Sequence, residues 1–254
     1  MTGQSSNKKG RYLYAVVYGS EERNYGPCGI DQSIVYTILR EQVAAVVSDV
    51  PNGKLRPERR HLSSHQGVIR QLMEESTPLP IAFGIIADGP EIIEKILADN
   101  QPEFQEQLDR MSGKVEMGLR VTWDVPNIFE YFVSTHPELR SVRDKYFGTH
   151  RESTQDDKIE LGRMFDLMLN EDREKSADDV ENILARYCFE IKRNKCRTER
   201  EVMNLACLVG RDAEARFEDG ILETANLFDN NFTFDYNGPW APHNFVDMEL
   251  RIED

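Results

Sequence analysis

Apolar and polar positions along this chain follow two periods, one of two residues and one of three to four, and the switches between them outline the elements. The most apolar stretch is Pro78–Asp88, where Ile81, Ala82, Phe83, Ile85, Ile86 and Ala87 form a run broken only by Gly84. A short run of this kind between turn residues reads as a strand buried on both faces. Pro78 and Pro80 cannot donate to a ladder, so pairing is expected from Ile81, and Gly84 marks a bulge or a close backbone approach. Arg11–Tyr18 is apolar on both alternating faces and reads as an interior strand, preceded by a polar, fraying Met1–Gly10. Ile34–Leu39 and Val43–Val50 read as a hairpin, with a helix over Ile34–Gln42 as the alternative.

The period then changes. Pro57 opens a helix to Glu75 that carries His61, His65, Val68, Ile69 and Leu72 on one face. Asp88 and Glu91 form an acidic capping box for a helix with Ile92, Ile93, Ile96 and Leu97 inward, and Phe104, Leu108 and Met111 continue the stripe beyond Pro102. Lys114–Trp123 alternates: Val115, Met117, Leu119, Val121 and Trp123 face inward, while Lys114, Glu116, Arg120 and Thr122 face outward. This pattern predicts a half-exposed strand at a sheet edge.

Asp124–Pro126 marks a boundary. The elements predict an α+β protein of two domains: residues 1–124 as a modified ferredoxin-like α+β domain, and residues 125–254 as a mainly helical α+β domain with a small sheet. In the second, helices are expected at Pro126–Ser134, Pro137–Phe147 and Thr154–Asn170. Ser176 is expected to cap a further helix that carries Val180, Ile183, Leu184, Tyr187 and Ile191 inward. Glu201–Val209 and Asn231–Tyr236 read as strands around a helix at Asp212–Ala225. The tail Asn237–Phe245 sets Trp240 between prolines, and its Trp240 and Phe245 read as packing within the chain ahead of a partner site.

Composition narrows the function classes. A net charge of −14 argues against nucleic acid or an anionic lipid membrane as partner. Four cysteines without a CxxC pair argue for reduced thiols in a cytosolic compartment. His61 and His65 could start a metal site on one helical face, but no pattern nearby supplies further ligands, so a hydrogen-bonded core pair is the better reading. Ser63 and Ser64 lack a nucleophile elbow, the glycines around Gly26 and Gly29 match no phosphate loop, and the acidic positions of Asp156–Glu181 lack the spacing of a calcium loop. No catalytic residue, cofactor or metal is therefore expected. Lys114, Glu116, Arg120 and Thr122 are the candidate partner-binding residues. The alternative is a small-molecule-binding or metal-dependent hydrolytic α+β enzyme using His61 and His65.

The strand YLYAVV, the segment VAAVVSDV, the helix with His65, PLPIAFG and, near the C-terminus, GPWAPHNFV occur in an order that resembles the gas vesicle protein F/L family, from Arg11 to Val246. Ala241 and His243-Asn244 stand where that family shows a more Pro- and Tyr-rich version. The resemblance implies a two-domain α+β fold and a non-enzymatic, minor structural or accessory role. It implies association with the small hydrophobic shell protein and with other gas vesicle accessory proteins, on the vesicle and in the cytoplasm before assembly. It brings no catalytic residues.

Overall fold

The computed structural model describes residues 9–147 and 153–248. The polar start, residues 1–8, lies outside the described residues. The fold is mixed α+β, with two sheets and seven α-helices among the described residues. The described residues divide into two compact units: those up to Glu116 together with those from Pro239 onward, and those from Met117 to Gly238. The tail, expected with residues 125–254, thus belongs with the first unit.

In the first unit, β1 (Lys9–Tyr18) pairs antiparallel with β4 (Val43–Pro51), from Lys9 opposite Pro51 to Tyr18 opposite Val43. Its register shifts between Leu13 and Ala15. The predicted hairpin forms: β3 (Val35–Arg40) runs antiparallel to β4, and Glu41 turns the chain at φ 53. A short β2 (Asn24–Gly26) edges β3. Branched and aromatic residues bury both faces of this sheet. Tyr12, Tyr14, Ala44 and Val46 pack with Val68 and Leu72 of α1 (Arg59–Met73), and the alternate residues Leu13, Val16, Ala45 and Val47 are equally buried. All five residues expected inward on α1, from His61 to Leu72, are buried.

Three expectations fail here. Pro78–Asp88 is not a continuous strand buried on both faces. It is the broken edge of the sheet: β5 (Leu79–Pro80) pairs with Ala15 and Val16, and β6 (Ile86–Ala87) with Arg11 and Tyr12. Between them the chain bulges through Phe83 and Gly84, with Gly84 at φ 95, and Ala82 and Ile85 are exposed. The bulge assigned to Gly84 is real; it interrupts the ladder the apolar run implied. The Asp88–Glu91 capping box is also absent. Gly89 is the N-cap of α2 (Pro90–Asp99), Pro90 supplies the first turn, and Asp88 instead accepts from Asn52 at 3.1 Å. In α2, Ile93, Ile96 and Leu97 are buried but Ile92 is exposed. The next helix, α3 (Gln101–Met111), buries Phe104, Leu108 and Met111 as expected.

The second sheet has the order β10 (Phe232–Trp240), β7 (Lys114–Trp123), β9 (Glu201–Gly210), β8 (Glu190–Arg193). β7 is therefore an interior strand and not an edge. Its inward set, Val115 to Trp123, is buried as the alternation requires. The surrounding helices are α4 (Ile128–Thr135), α5 (Pro137–Phe147), α6 (Gln155–Leu184) and α7 (Glu214–Ala225). Thr154 opens α6 with a reciprocal box to Asp157. Ser176 caps nothing: the good helix formers Glu171, Arg173, Glu174 and Lys175 carry α6 straight through it, so one 30-residue helix replaces the two expected. Ile191, expected on a helix, lies on β8.

Candidate functional site

The first unit brings together segments that are far apart in the chain. Tyr12 and Tyr14 of β1 point to the α1 face, one pleat apart. His65 stacks on Tyr14 with ring centroids 5.7 Å apart and meets Tyr12 and Phe83 edge to face at 5.7 and 5.8 Å. Hydrogen bonds tie this cluster together. The Gly84 N–H donates to the Tyr12 hydroxyl at 3.2 Å, and the same hydroxyl lies 2.9 Å from Nδ1 of His65. The Ile81 backbone is a further hydrogen-bond partner of the His65 ring. The bulge is pinned to helix and sheet through one neutral imidazole.

Burial, followed by the nearby His243 and opposed by the Ile81 carbonyl, lowers the His65 pKa to about 4. Burial likewise pushes Tyr12 up to about 12. Tyr14 extends the network: its oxygen accepts from the Ile30 N–H at 2.9 Å and lies 2.8 Å from the Ser48 hydroxyl. His61 is engaged separately, with Nδ1 3.0 Å from the Arg56 carbonyl and Nε2 3.2 Å from Asp31. The two histidines share a helix face, yet each ring is committed to its own partners. Among the described residues no group of three or more His, Cys, Asp or Glu could hold a metal ion.

The C-terminal arm docks on the same unit. Glu116, only 7% exposed, accepts the Asn244 backbone N–H on Oε2 at 2.8 Å and the Asn244 side-chain amide on Oε1 at 2.6 Å. Arg110 donates to the Phe245 carbonyl at 3.2 Å, and the Phe245 side chain is fully buried. Trp240 keeps 38% of its surface exposed, whereas Phe245 packs within the chain as expected.

The four candidate partner residues therefore separate. Glu116 does not face outward: its carboxylate is taken up by a residue 128 positions away. Lys114 is half-buried, and its Nζ donates to the Arg110 carbonyl. Arg120 is exposed and ion-paired to Asp235 of β10, and Thr122 is half-buried. Alternation showed which side of β7 these residues occupy but not what covers that side. The Glu116–Asn244 clamp had no local signal beyond the two residue types.

A family described as gas vesicle synthesis protein GvpL/GvpF matches residues 10–247. Gas vesicle protein F of Nostoc sp. is 23% identical over 94% of this chain and 98% of its own length. Gas vesicle protein L1 of Halobacterium salinarum is 26% identical over 93% of this chain and 90% of its own. The crystal structure of gas vesicle protein GvpF from Anabaena sp. PCC7120 superposes with a TM-score of 0.81 at 22% identity, covering 95% of this chain and 99% of that one. The family and these neighbours are gas vesicle proteins, not enzymes. No helix among the described residues is long and apolar enough to cross a membrane.

Proposed function

We propose that this chain, which belongs to the gas vesicle synthesis protein GvpL/GvpF family, associates with the small hydrophobic gas vesicle shell protein during nucleation and assembly. It acts as a minor, shell-associated component that supports buoyancy, with other gas vesicle accessory proteins as further partners and the cytoplasm as its location before assembly. The family match across residues 10–247 carries this reading.

Physical chemistry narrows how such a contact forms. A net charge of −14 steers an encounter but is screened beyond about 8 Å at physiological salt, so holding an apolar subunit requires apolar area or a strand edge. With β7 paired on both sides, the edge proposed for this contact is the broken strand Leu79–Ala87 of the first unit, where Ala82 and Ile85 are exposed. The N-terminal domain, read as modified ferredoxin-like, thus carries the contact in this proposal. Arg120 and Thr122 are left as peripheral contacts. Capture of shell protein by the full chain, with and without Ile85→Lys, tests both levels. The substitution is expected to reduce capture at least tenfold with an unchanged melting temperature. Undiminished capture would overturn the edge, and no capture by the unmodified chain would overturn shell association itself.

A further inference from the structure

The arm Pro239–Val246 is held in the manner of a bound peptide. It carries its own turn: the His243 N–H donates to the Ala241 carbonyl at 2.7 Å, and the Phe245 and Val246 N–H groups donate to the Pro242 carbonyl at 3.1 and 3.2 Å. Pro239 and Pro242 stiffen the segment, so little conformational freedom is lost on docking. What it meets on the first unit is a recognition surface. One buried carboxylate reads both a backbone N–H and the side-chain amide of the same residue, a charge-assisted pair, and an arginine reads the next carbonyl. The aromatic that follows is wholly buried, as anchors at peptide interfaces are.

We propose that Arg110, Glu116 and the pocket that buries Phe245 form a peptide-reading groove, which the chain keeps occupied with its own C-terminal arm as an intramolecular plug. The groove recognises a short turn of the pattern Pro-His-Asn-Phe. It excludes other segments for as long as the arm is docked, and the arm leaves without unfolding of β1 and β4.

Two measurements on the full chain test this. Hydrogen exchange of the unmodified protein should show the amides of Asn244–Val246 exchanging at least tenfold faster than those of β1 and β4, while remaining protected relative to free peptide. A fluorescent peptide spanning Asn237–Val246 should bind a full-length chain carrying Asn244→Asp and Phe245→Ala at least tenfold more tightly than the unmodified chain. In the first protein the resident arm sets a carboxylate against Glu116; in the second it competes. Adding Glu116→Gln should cost at least tenfold of that binding. Arm amides that exchange only together with β1 and β4 would overturn the proposal, as would a folded arm-defective chain that ignores the peptide. Should the arm-defective chain not fold, the exchange pattern of the unmodified protein decides the question.

Discussion

Acidification should destabilise the first unit through His65 before the carboxylates begin to titrate. The ring is buried, its Nδ1 lies 2.9 Å from the Tyr12 hydroxyl, and its pKa falls from 6.5 to about 4. The unfolded chain takes up a proton on this histidine below about 6.5, whereas the folded chain resists it until about 4, so between those values the unfolded state binds more protons. Stability contributed by the neutral ring is complete above that window and declines as pH falls through it. Linkage gives a loss of about 2 kcal/mol between pH 7 and pH 5, approaching about 3 kcal/mol near pH 4. The neutral imidazole is favoured chiefly because burial removes the solvation an imidazolium would need. Urea unfolding at pH 7, 6 and 5 and constant ionic strength measures this, with His65→Gln as the reference that shares every other titrating group. The wild-type curve should fall more steeply by about 2 kcal/mol, while His65→Gln keeps gas vesicle assembly because the ring's role is packing and hydrogen bonding. Parallel curves from pH 7 to 5 would refute the assignment of a buried neutral histidine.

Three further substitutions separate the other contributions. Phe83→Ala removes a half-buried ring that meets Tyr12 and His65 edge to face, and thermal unfolding should show a loss of about 2 kcal/mol, below the 3–5 kcal/mol of a fully buried aromatic. Gly84→Ala adds a methyl group that meets nothing within 4 Å, so its cost is conformational, about 1–2 kcal/mol for forcing a non-glycine residue to φ 95; a neutral effect on the melting temperature would contradict the bulge. Arg193→Ala dissolves the cluster with Glu174, Asp178 and Glu181, yet these groups lie on the surface. Denaturation at low and high salt should show a loss under about 1 kcal/mol that shrinks as salt rises.

What could be read from residue order alone was periodicity, and it read well wherever one face decides an element. The α1 stripe from His61 to Leu72 and the inward set of β7 are buried as the spacing requires, because a helix or strand with one apolar side has only one way to turn it. The failures lie where a second partner decides. Alternation on β7 cannot distinguish a solvated face from one covered by Asn244, and it cannot report that β10 and β9 complete the pairing. The run Ile81–Ala87 has the composition of a buried strand, but Gly84 lets the backbone leave the ladder, and Tyr12 with His65 stabilises the departure. The acidic stretch before Ser176 looks like a break only if a serine must cap; in an otherwise favourable helix its cost is small and α6 runs on. The errors at β7 and at the bulge concern contacts between residues tens to more than a hundred positions apart. Those same contacts, His65 with the bulge and Glu116 with the arm, assemble the candidate site. The segments PLPIAFG and GPWAPHNFV therefore belong to one constellation: the first supplies Ile81, a backbone partner of His65, and the Gly84 N–H that bonds Tyr12, and the second supplies His243, a second buried imidazole whose protonation would oppose that of His65, and Asn244, which satisfies Glu116.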